Sequence, residues 1–336
     1  MKSVVTFGEL MLSLSPKGHE RLVQAGELTA RYTGAEANVA VALAGFGLQA
    51  YVVSKVPEHA IGQACLNYLR RYGVDTRHVI RGGQRLGVLY LEAGVSLRPS
   101  QVIYDRLHAS IREVRPGEFD WAAILAQKHW FHFSGTAPAL GPRVQAVLEE
   151  ALHAAKRLGL TISCDCNYRS TLWSEEEAGR ALAGLLGLVD VLMCGAQDAE
   201  RLFAVRPAGK DREGPARDQE AAEELRRRYG LQAVAMTLRE APSASVNRVS
   251  GLLCAADGCC RAREYEVAIV DRIGSGDAFA AGLIYGWITG LGPQQTIDFA
   301  TAAACLKHTI PGDFNLVSVA EVEQLLSGQS PGQVRR

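Results

Sequence analysis

The sequence carries no excess of either charge. Lys+Arg and Asp+Glu are both 36 in 336 residues, and the formal net charge is zero. A balance of that kind gives no field to attract nucleic acid or an anionic membrane, and an acidic ligand would need a local cluster of cations. No apolar run is long enough to cross a bilayer. Met1-Lys2-Ser3 leads into a short strand-like run rather than a secretory leader, so the expected location is cytoplasmic. There are eight cysteines (Cys65, Cys164, Cys166, Cys194, Cys254, Cys259, Cys260 and Cys305), and no two of them are spaced C-x-x-C. A zinc site is therefore not expected, and free thiols, several in apolar strand-like runs, are. Cys259 and Cys260 follow Asp257-Gly258 and are expected in a hairpin turn. The chain also lacks a G-x-x-x-x-G-K-[ST] loop and has no G-x-G-x-x-G after a strand, which sets aside P-loop and dinucleotide sites. Internal repeats and low-complexity segments are absent as well.

An apolar content of 48% is ample for a core. The length suits one large α/β domain, with or without a small appendage. The chain is organised around Asp271-Arg272-Ile273-Gly274-Ser275-Gly276-Asp277. A β-rich run at 265–270 feeds this stretch, and small apolar residues at 278–286 leave it, which reads as strand, glycine turn and helix start. Two glycines permit a tight turn and close approach of a ligand. The amides that follow point out of a helix N-terminus, where an anion is favoured. Asp277 at that start has two readings: it caps the helix, or it takes a proton from a hydroxyl beside a bound phosphate.

A second glycine turn, Thr33-Gly34-Ala35-Glu36-Ala37-Asn38, precedes a second helix with Glu36 and Asn38 in its first turn. Before it, residues 11–15 alternate as a strand wet on one face. Strands are expected at 51–56, 86–92 and 101–104, with a helix at 61–72. From 121 the pattern becomes regular. Strands at 130–134, 160–164, 189–194 and 233–237 alternate with helices at 143–158, 175–186, 197–203 and 220–229, and a last helix is expected at 296–309. Residues 206–218 read as an exposed loop. Such alternation argues for a mostly parallel sheet covered on both faces, with ligands at the carboxyl ends of its strands.

Both glycine turns, in this order, resemble the signatures of the ribokinase-like (PfkB) sugar kinases. The middle of the chain sharpens the likeness. Arg98-Pro99-Ser100-Gln101-Val102-Ile103-Tyr104-Asp105-Arg106, Phe131-His132-Phe133-Ser134-Gly135, Ser163-Cys164-Asp165-Cys166-Asn167-Tyr168-Arg169 and Lys307-His308-Thr309-Ile310-Pro311-Gly312-Asp313 resemble segments of 2-keto-3-deoxygluconate kinases. The resemblance covers nearly the whole chain, from about Phe7 to about Val322. It implies a ribokinase-like α/β fold. Residues 1–10, 34–84 and 108–326 would form the core, 11–33 and 85–107 a small β-sheet lid, and 327–336 a polar tail.

The resemblance also implies the chemistry. Asp277 is expected to be the catalytic base, ionised at neutral pH given a reference pKa of about 3.9. Gly274, Ser275 and Gly276 would present amides to the transferred phosphoryl group. Substrate contacts fall on Gly34, Asn38, Tyr90, Tyr104, Arg106, Arg169 and Asp313. Nucleotide (ATP) contacts fall on Asn167, Arg169, Thr237, Gly274 and Gly276. Mg²⁺ bridges the phosphates, with Asp198 reaching it through water, and the family leaves room for a monovalent cation. Pairing of lids makes a homodimer the expected assembly. An arginine pair suits a substrate carboxylate, which it grips through charge-assisted hydrogen bonds, whereas a neutral sugar would not require it. The plainer alternative for Arg106 is a surface ion pair with Asp105 or Glu113.

The chain departs from the family pattern at two places. Thr33 stands where a first glycine is usual, and Gly195-Ala196-Gln197-Asp198-Ala199-Glu200 stands where Asn-x-x-Glu usually helps hold the metal. The expected activity is ATP-dependent phosphorylation of the terminal hydroxyl of 2-keto-3-deoxygluconate. The alternatives are a kinase for another sugar such as fructose or for a nucleoside, or a weakly catalytic homologue that binds a sugar acid or nucleotide.

Overall fold

The structure is a computed structural model that describes residues 1–206 and 214–328. Its main sheet runs, in spatial order, Gly258–Arg261, Val246–Ala255, Ala233–Ser243, Val191–Gly195, Thr161–Asp165, Trp130–Ser134, Ser3–Phe7, Gln49–Val56 and Val79–Arg81. From Ala233–Ser243 onward every neighbouring pair is parallel, while Val246–Ala255 and Gly258–Arg261 form an antiparallel edge. The parallel strands are buried on both sides because alternate residues feed two different cores. Val5, Phe131 and Leu192 pack on one face against Val144, Leu148 and Leu182. Val4, Trp130 and Val191 pack on the other, against Val39, Leu43, Phe279 and Ile284. The Ser275–Thr289 helix is apolar on nearly all sides because it is enclosed between neighbouring helices.

A separate four-stranded sheet has the order Thr29–Thr33, Met11–Ser15, Gly87–Glu92, Gln101–Asp105. Its central pair, Met11–Ser15 and Gly87–Glu92, is parallel, and both outer pairs are antiparallel. One face carries Met11, Leu89 and Leu91, which meet Val102, Tyr104 and Ile273. That contact sets the sheet over the 271–277 loop of the larger body.

Several expectations change. Cys254 and Cys259 are not free: they face each other across the Val246–Ala255/Gly258–Arg261 hairpin, with Cα atoms 4.0 Å apart, and form a disulfide. They are brought together by antiparallel register, which spacing does not reveal. The turn itself lies at 256–257, and Cys260 sits in the strand beyond it. The expected loop at 206–218 lies partly outside the described residues, and its end is helical, because the next helix begins at Pro215. The last helix is Val319–Leu326, started by a reciprocal Ser318/Glu321 capping box. The expected tail at 327–336 lies mostly outside the described residues. No described helix is long and apolar enough to cross a membrane.

Candidate active site

The carboxyl ends of the parallel strands and the inner face of the small sheet enclose a cavity of about 860 Å³. Three sets of residues meet there. The first is the glycine turn and its aspartate. Gly274 is the N-cap of the Ser275–Thr289 helix, in the left-handed conformation at φ 80°. A Cβ at Gly274 would stand 1.9 Å from the Asp313 carbonyl oxygen, whereas one at Gly276 would meet nothing within 4 Å. Gly274 is thus required by the fold of two adjoining loops, whatever a ligand would ask of it. Only Gly276 leaves open space.

Asp277 lies in the first turn of that helix but does not serve as its cap. Its Oδ2 accepts a 2.7 Å hydrogen bond from Asn38 Nδ2, and Asn38 Oδ1 accepts one from the Thr33 hydroxyl at 3.2 Å. The two glycine turns are therefore joined through side chains that lie 239 residues apart in the chain. Asp277 keeps part of its surface open to the cavity. Burial of its carboxyl raises the pKa to about 7, against the lowering effect of Asn38 and Arg169 and with help from Glu36 and Asp313. The expectation of an unperturbed carboxylate near 3.9 is corrected accordingly: this carboxyl sits among others in a poorly hydrated pocket.

The second set faces the small sheet. Arg106 is buried, with 9% of its surface exposed. Its guanidinium lies 4.3 Å over the Tyr104 ring. Its Nε is 3.1 Å from Glu9 Oε2, yet the N–H is directed at Met11 Sδ. Neither Glu9 oxygen accepts a hydrogen bond, and Arg106 Nη1 has no partner. The surface-pair alternative fails, since Asp105 pairs with Arg85 instead. Burial raises Glu9 to about 7, opposed by Arg106 and Arg112. Gly34, Asn38 and Asp313 line the same end of the cavity.

Tyr90 does not line the cavity, and Leu89 does. Leu89 is directly opposite Tyr104 across the sheet, while Tyr90 is opposite the half-exposed Ile103. Successive strand residues face opposite sides, so a shift of one position turns the side chain away from the site.

The third set closes the end under the antiparallel edge. Asn167, Arg169, Thr237 and Asp198 all line it. Asn167 stands at φ 39°, and its N–H donates to Asp165 Oδ1 at 3.0 Å. Burial raises Asp165 to about 7, with Asp277 and Asp198 adding to the rise, and burial raises Asp198 as well. Asp198 Oδ2 accepts from Gly195 N–H at 3.3 Å. Glu200, by contrast, is held at the surface by Arg206 and Arg217 and does not line the cavity. Asp165, Asp198 and Asp277 thus share raised pKa values and line one cavity, although among the described residues their ligand atoms do not all lie within 4.8 Å of one another.

Sequence reasoning passed over Glu9, Arg239 and Arg272. Arg239 and Arg272 line the cavity beside Arg169, and among the described residues no carboxylate pairs with any of the three. Arg272 Nε is buried without a partner. Burial and the charges of Arg272 and Arg169 hold Arg239 below the usual arginine range. Guanidiniums gathered in this way without a paired carboxylate have the composition that suits an anion.

Comparison with known proteins agrees with this geometry. Residues 1–317 match the pfkB family carbohydrate kinase description. A solved 2-dehydro-3-deoxygluconokinase from Thermotoga maritima is 46% identical, with a TM-score of 0.94 and coverage of 97% of this chain and 98% of that one. A 2-dehydro-3-deoxygalactonokinase of Haloferax volcanii is 34% identical, covering 98% of each chain. A 2-dehydro-3-deoxygluconokinase of Bacillus subtilis is 28% identical, covering 97% of this chain and 95% of the relative. With the family match spanning both glycine turns and all three sets of cavity residues, the chain belongs to the PfkB family of carbohydrate kinases.

Proposed function

We propose that the protein is an ATP-dependent kinase that phosphorylates the terminal hydroxyl of 2-keto-3-deoxygluconate. The observation that carries this reading is the presence, in one cavity, of Asp277 held by Asn38 and of a buried Arg106 whose Nη1 has no hydrogen-bond partner. Arg106 and Tyr104 bind the acid end of the substrate, with Gly34, Asn38 and Asp313 along the sugar. Leu89 takes the place first given to Tyr90.

Asp277 Oδ1, the carboxylate oxygen not held by Asn38, accepts the proton of the terminal hydroxyl, whose oxygen bonds to the γ-phosphorus of ATP as the bond from that phosphorus to the β,γ-bridging oxygen breaks and ADP leaves. The amides of Gly274, Gly276 and Asp277 face the charge that spreads over the phosphoryl oxygens, while the Ser275 N–H donates to Arg272 O at 3.4 Å. Arg169 lies between the two ligands, and Asn167 and Thr237 contact the nucleotide. Mg²⁺, when bound, supplies charge neutralisation of the phosphates, with Asp198 reaching it through water. The small sheet, 11–33 and 85–107, acts as a lid over the core of 1–10, 34–84 and 108–326, excluding water from the phosphoryl group. Its outer face pairs two copies into a homodimer. A cytoplasmic location suits the substrates.

The relative from Haloferax volcanii supports a second reading, in which the C4 epimer, 2-keto-3-deoxygalactonate, is taken as well or instead. An assay of ADP release with Mg²⁺-ATP over both epimers, fructose and adenosine tests both. Turnover of a keto-deoxy acid is expected. Turnover confined to fructose or adenosine refutes the assignment.

A further inference from the structure

One ionisable side chain behind the cavity lining is wholly enclosed and, among the described residues, has no acidic partner. Lys307, the last residue of the Pro293–Lys307 helix, is 0% exposed. Its Nζ donates to two main-chain oxygens, Asp271 O and Ile310 O, each at 3.1 Å. Among the described residues no carboxylate lies within ion-pair distance of it. The nearby Asp271 carboxylate is committed elsewhere: Oδ1 accepts from Ile273 N–H at 3.0 Å and Oδ2 from Gly312 N–H at 2.9 Å.

A buried lysine without a counter-ion is rare, because removing an ammonium from water is costly. Here it lies where two loops meet. Asp271 opens the glycine turn of 271–277. Ile310 opens the segment that carries Gly312 and Asp313, whose carbonyl abuts Gly274. Two peptide dipoles from separate loops converge on one positive point. Burial lowers the affinity of Lys307 for its proton, while Asp271, Asp313 and Asp277 raise it.

We propose that the Lys307 ammonium is a tethered internal cation that locks the 271–277 turn in its anion-accepting form, so that the enzyme needs no added monovalent cation. Lys307 is a positioning residue. It draws the Asp271 and Ile310 carbonyls to one point, which ties the start of the 271–277 turn to the segment that carries Gly312 and Asp313. This rests on the reading of 274–277 as the phosphoryl site.

The test begins with the wild-type protein. Mg²⁺-ATP and 2-keto-3-deoxygluconate are supplied with tetramethylammonium as the sole monovalent cation, then with KCl, NaCl or NH₄Cl at constant ionic strength. ADP is measured directly by chromatography, since coupling enzymes have cation needs of their own. The rate is expected to be the same in all four. Lys307→Met should lower kcat by roughly 100-fold, the scale of losing an oxyanion-hole donor, with KM for the sugar acid little changed. NH₄⁺ or K⁺ should fill the carbonyl-lined space and restore much of the loss, and tetramethylammonium should not. Several-fold activation of wild type by K⁺ or NH₄⁺ overturns the proposal. So does a folded Lys307→Met variant that is fully active in tetramethylammonium, or one that is slow and indifferent to every cation. If the variant does not fold, the wild-type series decides. If wild type turns over no substrate, the kinase reading fails first. Calorimetric Mg²⁺-ATP affinity with and without NH₄⁺ then decides for Lys307 by the same pattern, and complete absence of nucleotide binding removes both.

Discussion

Replacing Arg106 by Met leaves the acid end of the cavity without its guanidinium. Arg106 lines the cavity and its Nη1 is buried without a partner, and the proposed reading pairs that donor with a substrate carboxylate. A charge-assisted hydrogen bond contributes about 1.5–3 kcal/mol, and 1.36 kcal/mol is tenfold. KM for 2-keto-3-deoxygluconate should therefore rise by roughly 10- to 150-fold for each such bond, with KM for ATP unchanged. Arg106→Lys should recover little of this. It keeps the charge but loses the flat face 4.3 Å over Tyr104 and the paired donors.

Stability gives a second readout of the same change. Glu9 has a folded pKa of about 7, above its ordinary value of 4.5, with burial as the cause and Arg106 as the chief opposing influence. A carboxyl raised on folding holds its proton longer in the native than in the unfolded chain. Its contribution to stability therefore falls as pH rises from about 4.5 to about 7. Without Arg106 the folded value goes higher, and the loss continues into more alkaline solution. The melting temperature of Arg106→Met should trail wild type by more at pH 8.5 than at pH 6, and adding Glu9→Gln should remove the pH-dependent part. Steady-state kinetics over both substrates and thermal melts across pH are sufficient. An unchanged KM for the sugar acid, or a melting gap that does not vary with pH, would refute the reasoning.

Other changes separate the remaining assignments. Leu89→Ala should raise KM for the sugar acid several-fold, whereas Tyr90→Phe should leave both kinetic constants near wild type; the reverse order would restore Tyr90 to the site. Gly274→Ala should reduce stability by more than 1 kcal/mol, on the order expected for a forced left-handed conformation, because the new methyl meets the Asp313 carbonyl. Gly276→Ala should melt like wild type and lose turnover, and equal melting of the two variants would contradict the distinction. Arg239→Gln and Arg272→Gln should each raise KM for ATP and leave KM for the sugar acid unchanged, and the opposite split would move those arginines to the other ligand.

The chemistry that was legible from sequence is the part carried by local motifs. Asp277, Asn38 and Arg106 each sit in a short stretch whose residue types announce a role, and the cavity brings all three together. Alternation of apolar runs with helical spacing conveyed the parallel sheet, because strands buried on both faces read as continuous apolar segments. What was not legible depends on register and on distant pairing. Tyr90 and Leu89 differ by one position in a strand whose two faces have opposite fates. Cys254 and Cys259 meet only because the hairpin register sets them opposite each other. Glu9 and Arg106 are brought together from distant parts of the chain, and the elevated pKa of Asp277 arises first from burial by the fold and then from Glu36 and Asp313. The Val319–Leu326 helix is a different case: Ser318 and Glu321 formed a recognisable start signal, but the helix is short and only Val322 is fully buried.

The central claim is that Asp277 takes the proton from the substrate hydroxyl. The direct measurement is turnover of Asp277→Asn at saturating sugar acid and Mg²⁺-ATP, with nucleotide affinity followed by calorimetry on the same sample. The account predicts a kcat lower by about 10²–10⁴-fold, the usual scale of a general base, with nucleotide affinity retained. It also predicts a wild-type rate that rises with pH through the value of about 7 held by this carboxyl. An Asn variant that turns over at the wild-type rate would contradict it.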